Sequence, residues 1–260
     1  MRIVLTGYKG FIASNLLTEL KNEKVVLIEA EDYPLRERIT GSDAVIHLGA
    51  ISGANPSIPF YSYFDYNVKK TVELLEAASL AKVKKFIFVS TCTVTHGVRN
   101  IYDVSKQQAE QWCVFYRARI PDIPILRLYN VYGEGDSKSV VYKYVNAVKD
   151  SRPITIHGDG RQKRDFINVK DVVRGIRKAL YSKETLDQPI GIGTGKETSI
   201  HDLADLIFRL SGRKVPVRYE PIPYPQLESA KCPEPLFLEN PLTIEEGLRL
   251  MMKQPPTALR

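Results

Sequence analysis

Two tyrosine–lysine pairs of identical spacing occur in this chain, Tyr66 with Lys70 and Tyr102 with Lys106. A tyrosine one helical turn before a lysine puts both side chains on one helix face. The ammonium can then lower the pKa of the phenol and make it usable as an acid or base near neutral pH. Spacing does not choose between the pairs, because chance alone supplies about one among 14 Tyr and 20 Lys. The preceding element does. Residues 85–90 form an apolar run, read as a buried strand, and lead into Ser90, Thr91, Cys92 and Thr93. Hydroxyls at the carboxyl end of a parallel strand sit where α/β folds place their ligands. Tyr102 follows Thr91 by eleven residues, at the start of a helix expected to run to about Arg119, so that Thr91 and Tyr102 can meet over one substrate. Tyr66 and Lys70 lie earlier, on a helical pattern at 60–80, and read as a helix-surface pair.

The elements that must position these groups begin at the N-terminus. Residues 2–6 read as a buried strand, and helical spacing starts at Phe11 and Ile12 and continues through Leu16, Leu17 and Leu20. Between them lies the turn Gly7-Tyr8-Lys9-Gly10, a strand–glycine–helix context that suits a dinucleotide. Gly7 permits the tight turn, Gly10 lets backbone approach a pyrophosphate, and Ala13 is small enough for helix–strand packing. The helix N-terminus offers N–H groups and partial positive charge to the phosphates. An apolar strand at 24–29 then ends in Glu29, about twenty residues past the turn, where a carboxylate binds ribose hydroxyls. That favours NAD over NADP, although Arg36 and Arg38 lie close enough in sequence to keep the second open. Only residues 30–42 separate Glu29 from the next strand at 44–48, too few for a further strand and crossover helix. An edge strand is therefore expected to be lost. Leu48, Gly49 and Ala50 follow as a small-residue turn that a cofactor can approach.

Composition narrows the remaining classes. The net charge of +7 suits an acidic ligand, but the basic residues are scattered without stacking aromatics, which argues against nucleic acid. Apolar runs reach only about five to six residues, too short for a bilayer, and the N-terminus enters a strand directly, so a cytoplasmic protein without a secretory signal is expected. Three cysteines and four histidines show neither disulfide nor metal-ligand spacing, and no metal is expected.

Taken together, these segments resemble the extended short-chain dehydrogenase/reductase family, the NAD-dependent nucleotide-sugar epimerases and dehydratases. The resemblance runs through TGYKGFIAS at 6–14, DAVIHLGA at 43–50, Asn67-Val68, FVSTCTV at 88–94 and IYDVSKQQAE at 101–110. It continues through RLYNVYGEG at 127–135, IHGDGRQKRDFINVKDV at 156–172, IGTGKETSIHDLADLI at 192–207 and LTIEEGL at 242–248. It implies an α/β Rossmann-type doubly wound parallel sheet over 1–132 and 165–195, with a small discontinuous substrate domain at 133–164 and 196–260.

The same resemblance implies that Thr91, Tyr102 and Lys106 are catalytic, with Lys106 also on the nicotinamide ribose. The implied cofactor contacts are Gly7, Gly10, Phe11, Ile12, Glu29, Leu48, Gly49, Ala50, Asn67, Tyr102, Lys106, Tyr129 and Val131. Substrate contacts would be Thr91, Asn130 and Arg164, the last gripping a diphosphate as a planar charged fork. It also implies a homodimer through the helices at about 60–80 and 102–119, with Val114, Phe115 or Tyr116 supplying apolar surface. Two departures bear on the reaction. Cys92 and Thr93 stand where family dehydratases carry an Asp-Glu pair, which argues against 4,6-dehydration. No second phosphate-binding arginine is evident in residues 221–232, Arg218 being the nearest substitute. The expected activity is nucleotide-sugar epimerisation with NAD. The alternatives are a sugar or nucleotide-sugar reductase or dehydrogenase, and a non-catalytic dinucleotide-binding protein.

Overall fold

The computed structural model describes residues 1–29, 35–97, 100–222, 227–233 and 237–253. The chain alternates strands and helices, and short apolar strands such as IVLT and FIFV, buried on both faces, assemble into a parallel sheet. In order these are β1 (Arg2–Thr6), α1 (Phe11–Glu19), β2 (Lys24–Ile28), α2 (Leu35–Ile39) and β3 (Ala44–His47). The chain continues through α3 (Phe60–Tyr63), a π-helical turn (Phe64–Lys69) and α4 (Lys70–Leu80). Next come β4 (Lys85–Thr91), a 3-10 turn (Cys92–His96), α5 (Ile101–Tyr116) and β5 (Ile125–Leu128). The rest comprises β6 (Asn130–Tyr132), α6 (Val140–Lys149), β7 (Ile154–His157), β8 (Lys163–Asn168) and α7 (Val169–Tyr181). It ends with β9 (Ile190–Ile192), β10 (Glu197–Ser199), α8 (Ile200–Ser211), β11 (Val217–Glu220) and α9 (Ile244–Lys253).

Among the described residues the main sheet has six strands in the order β2-β1-β3-β4-β5-β9. The strand order reverses at β1, so the crevice beyond the carboxyl ends of β1 and β3 is the switch point where such sheets bind ligands. β2 forms the edge beside β1, and the short α2 stands in the interval where a further strand was expected to be lost. Residues 30–34 of that interval lie outside the described residues.

The chain divides into two compact units, 1–128 with 173–190 and 129–172 with 191–260. These boundaries differ from the expected ones because β6, β8 and residues 191–195 group with the second unit. The first unit packs the sheet against α2, α4 and α5 through Val4, Ile28, Val45, Leu75, Phe86, Phe88, Ala109 and Ile125. The second has its own core, in which Tyr132, Val145, Ile156, Phe166, Leu203, Ile207 and Leu248 join α6, α8 and α9 to its strands. A buried carboxylate organises that unit. Asp165 of β8 is fully buried and accepts hydrogen bonds from Thr194 N and Oγ1, Gly195 N and Cys232 N. A Cβ at Gly193 would lie 2.5 Å from Cys232 Cβ and 2.7 Å from Asp165 Oδ2, so only glycine admits this close approach. Residues 223–226 and 254–260, within segments expected to shape the substrate domain, lie outside the described residues.

Candidate active site

The turn after β1 has the conformation that its glycines predict. Gly7 adopts φ +67°, and a Cβ there would lie 2.7 Å from backbone atoms of Gly49. Both the left-handed backbone and the contact exclude a side chain. Gly10 N–H donates to Gly7 O at 3.0 Å, and Gly10 then begins α1 with no side chain capping it. Ala13 is buried, as close packing of α1 on the sheet requires. Glu29, just past β2, lies close enough for Lys9 N–H to donate to it at 3.4 Å.

A cavity of about 360 Å³ opens at this point, lined in part by Gly7, Gly10, Glu29, Leu48, Gly49 and Ala50. Six expected cofactor residues therefore converge on one cavity. Phe11 and Ile12 begin α1 beside the turn but are not among the lining residues. Arg36 and Arg38 do not line it either; Arg38 donates to Leu27 O and its own carbonyl accepts from Arg2. Tyr66 and Lys70, expected to be a helix-surface pair, both line the cavity; Tyr66 is exposed and Lys70 half-buried. Tyr66 lies in the π-helical turn that precedes α4, and Lys70 begins α4.

Asn67 lies in that same turn, and its amide is used to hold neighbouring backbone. It accepts from Ile51 N–H at 2.8 Å and donates to Ile51 O and Ser105 Oγ. It thus shapes the loop beyond β3 and anchors it to α5, while staying out of the cavity lining. His47 performs a related task that its sequence context did not reveal. Its ring spans Thr6 Oγ1 at 2.6 Å and Thr71 Oγ1 at 2.9 Å. Thr71 donates its proton to Asn67 O and so accepts from His47 Nε2–H, which leaves Nδ1 to accept from Thr6. Burial, aided by the Lys106 charge, lowers the His47 pKa to about 3 and keeps this bridge neutral.

Thr91, at the end of β4, and Tyr102, in the first turn of α5, meet as expected. Burial pushes the Tyr102 phenol up, and hydrogen bonding with the Thr91 side chain acts in the opposite sense. Asn100 caps the helix by accepting from Asp103 N–H, which fixes where Tyr102 begins its turn. Ser90 and Arg127 bind the buried Glu110, Arg127 through two nitrogens, and tie α5 to β4 and β5. Lys106 follows one turn along the same helix. Its ammonium donates to Val89 O at 2.7 Å and lies 4.1 Å from the centroid of the Phe88 ring. Burial lowers its pKa to about 8. The Tyr102 pKa is raised, chiefly by burial, and Lys106 is not among the charges acting on it. In this state the lysine carries its charge into the protein interior, toward the β4 backbone.

The remaining candidates belong to the second unit. Tyr129 N–H donates to Ile192 O, Asn130 Nδ2 to Asp165 O, and Val131 pairs with Ile167 of β8. Arg164 donates to the carbonyls of Lys163 and Leu227, the latter at 2.7 Å, and thereby fastens the segment 227–233 beside β8. Asp165, next to it, was not singled out from sequence, because it follows Lys163 and Arg164 in β8 and reads there as one more charged residue. Arg218 lies exposed on β11.

A glycine-turn cavity and a Thr–Tyr pair carried by one parallel sheet mark the α/β class of nucleotide-binding folds, and comparison with known proteins supplies the family. The NAD-dependent epimerase/dehydratase family matches residues 3–193, and the chain belongs to it. An uncharacterized UDP-glucose epimerase of Bacillus subtilis is 28% identical, across 84% of this chain and 85% of that protein. A putative UDP-glucose 4-epimerase of Methanocaldococcus jannaschii is 32% identical, across 79% of this chain and 75% of its own length. The solved structure of MoeE5 in complex with UDP-glucuronic acid and NAD superposes with a TM-score of 0.89 at 26% identity, covering 97% of this chain and 98% of that one. Among the described residues no helix is long and apolar enough to cross a membrane, and no group of side chains could hold a metal ion.

Proposed function

We propose that the protein is an NAD-dependent nucleotide-sugar epimerase. The hydrogen-bonded Thr91–Tyr102 pair, in the same unit as the dinucleotide cavity, is the observation that carries this reading. The residues present fit NAD: the Gly7–Gly49 approach leaves bare backbone beside the uncapped end of α1, and Glu29 is set to take ribose hydroxyls. The same carboxylate would repel a 2′-phosphate, and neither Arg36 nor Arg38 lines the cavity to offset it. NAD, when bound, supplies the acceptor and donor of hydride. Tyr102 takes the proton of one sugar hydroxyl and returns it to the same oxygen, while Thr91 hydrogen-bonds that oxygen. Lys106 holds positive charge under β4, and binding of the nicotinamide ribose would draw its ammonium from Val89 O. Asn130 and Arg164 are the proposed substrate-diphosphate contacts, and Tyr129 and Val131 those beside the nicotinamide. Cys92 and Thr93 supply no acid–base pair for loss of water.

A second copy of the chain is the proposed partner. Tyr61 and Phe64 form one exposed aromatic cluster, and Trp112 and Phe115 another, on helices that pack together in the first unit. Val114 is exposed beside them, whereas Tyr116 is buried and bonded to Glu76 and so is not available for this contact. A monomeric mass in light scattering at micromolar concentration would remove this part of the proposal.

The reaction is tested by incubating the protein and NAD+ with pooled UDP-, dTDP- and GDP-sugars and separating the products by liquid chromatography and mass spectrometry. A new isobaric sugar nucleotide without net NADH is the expected result. Stoichiometric NADH accumulation would replace the epimerase with a dehydrogenase, and cofactor binding with no product would leave a binding protein.

A further inference from the structure

The turn that follows β3 is held from two sides by one circuit of hydrogen bonds, and His47 closes it. Thr6 and His47 end neighbouring parallel strands and are Cα partners in the β1–β3 register, so their side chains leave the same face of the sheet. Thr6 Oγ1 accepts from Gly49 N–H at 3.2 Å and gives its own proton to His47 Nδ1 at 2.6 Å. On the other side of the ring, Nε2–H donates to Thr71 Oγ1 in α4 at 2.9 Å, and Thr71 donates to Asn67 O at 2.8 Å. The Asn67 amide then returns to the turn, accepting from Ile51 N–H at 2.8 Å and donating to Ile51 O at 3.1 Å. Gly49 and Ile51, two residues apart, are thereby tied to β1 and to the π-helical turn by opposite ends of one chain. Thr6, His47, Asn67 and Thr71 are all buried, Thr71 completely, so a lost bond leaves a polar atom away from water. The rings of Phe86 and Phe88 flank the imidazole, with centroids 6.1 and 5.8 Å away.

We propose that His47 is a positioning residue for the dinucleotide, which through Thr6 and Thr71 fixes the 49–51 turn and so builds one wall of the cavity before a ligand enters. This role rests on the reading of the glycine-turn cavity as the cofactor site. Leu48, Gly49, Ala50 and Ile51 all line that cavity, and the Gly49 backbone is what a Cβ on Gly7 would meet at 2.7 Å. Movement of this turn therefore reshapes the wall and loosens the approach of the two glycines together. A wall ordered in advance spares the ligand the entropy cost of ordering it on binding. Only one form of the imidazole serves. The ring must accept at Nδ1 and donate at Nε2, which a charged ring cannot do because both of its nitrogens donate. Thr6 and His47 themselves border the cavity, whereas Thr71 does not, so a change at Thr71 reaches the ligand through the circuit rather than by contact.

The test pairs calorimetry of ADP-ribose binding with NMR of the full protein. Thr71→Val, which keeps the side-chain shape and removes the hydroxyl, should weaken binding by roughly fivefold or more and speed hydrogen exchange at the Gly49 amide. Thr71→Ser, which keeps the hydroxyl, should hold both near the wild-type values. His47→Asn, whose Oδ1 replaces Nδ1 as acceptor for Thr6 but cannot reach Thr71, should weaken binding comparably. Ile120→Val, a core truncation in the same unit, should lower the urea midpoint yet leave binding within about twofold, which separates positioning from a general loss of stability. 15N spectra of the ring, with the His47 signal identified by its loss in His47→Asn, should show a neutral imidazole protonated at Nε2 at pH 7. Wild-type affinity in either Thr71→Val or His47→Asn overturns the inference, and so does an Nδ1–H or charged His47 ring, a result that stands even if neither variant folds. A wild-type protein that binds neither ADP-ribose nor NAD+ removes the dinucleotide reading itself, and there the ring spectra and Gly49 exchange still decide whether His47 fixes the turn.

Discussion

Tyr66–Lys70 and Tyr102–Lys106 share a spacing and a folding unit, yet their surroundings give them different chemistry. Tyr66 is 43% exposed, and Lys70 lies 3.5 Å from Glu73. Tyr102 is half-buried against Thr91, and Lys106 is 3% exposed with its ammonium on Val89 O. Burial raises the Tyr102 phenol and lowers the Lys106 ammonium, because desolvation disfavours whichever form is charged. The partly exposed pair contributes polar groups to the lining of the glycine-turn cavity, and the second pair packs against the carboxyl-terminal end of β4. Spacing puts two groups on a face; water access decides their work.

The largest expected separation between the pairs is in turnover. Once a substrate is identified, Tyr102→Phe should lower kcat by about 10²–10⁴-fold, the usual contribution of a positioned acid or base. Tyr66→Phe should leave kcat within a factor of a few, and equal losses in both would erase the distinction. An effect of intermediate size concerns His47, which holds Thr71 beside Lys70 and has its pKa lowered by the Lys106 charge. The unfolded chain binds a proton at an ordinary histidine pKa of 6.5, whereas folded His47 does not until about 3. Within that window the unfolded state binds more protons, so stability falls as pH falls, by at most about 1.4 kcal/mol per pH unit. Urea titrations from pH 7 to 4 should show this slope flattened by one proton in His47→Gln; an unaltered slope would show that His47 already titrates normally in the fold. The smallest effect is expected at Lys70. Its substitution by Met should weaken ADP-ribose binding several-fold in calorimetry at low ionic strength and reduce the salt dependence of that binding. Lys106→Met should have less influence on the same ligand, which lacks the nicotinamide ribose, and the reverse order would exchange the assigned roles.

The glycine turn was legible in the sequence because its chemistry belongs to one residue type: a positive φ and a 2.7 Å backbone approach both require the missing Cβ of Gly7. Glu29 was legible through its distance from that turn. Among the described residues β2 forms the sheet edge beside β1, in keeping with an interval of residues 30–42 too short for a strand and a crossover. Other features depended on contacts between distant segments. Asp165 gathers Thr194, Gly195 and Cys232 from up to 67 residues away, and no local pattern announces that meeting. Tyr66 and Lys70 read as a surface pair, and Tyr66 is exposed, but their place in the cavity lining depends on the glycine turns of distant segments.

Residue order therefore determined the alternating α/β architecture, the nucleotide turn and the choice of Thr91 with Tyr102, since each rests on local spacing or on one residue's conformational range. Tertiary structure decided the direction of the Lys106 ammonium, the protonation tendency of Tyr102 and the place of Tyr66 and Lys70 in the cavity. Those depend on desolvation and on hydrogen-bond partners supplied by other segments, and both arise only when the chain is packed.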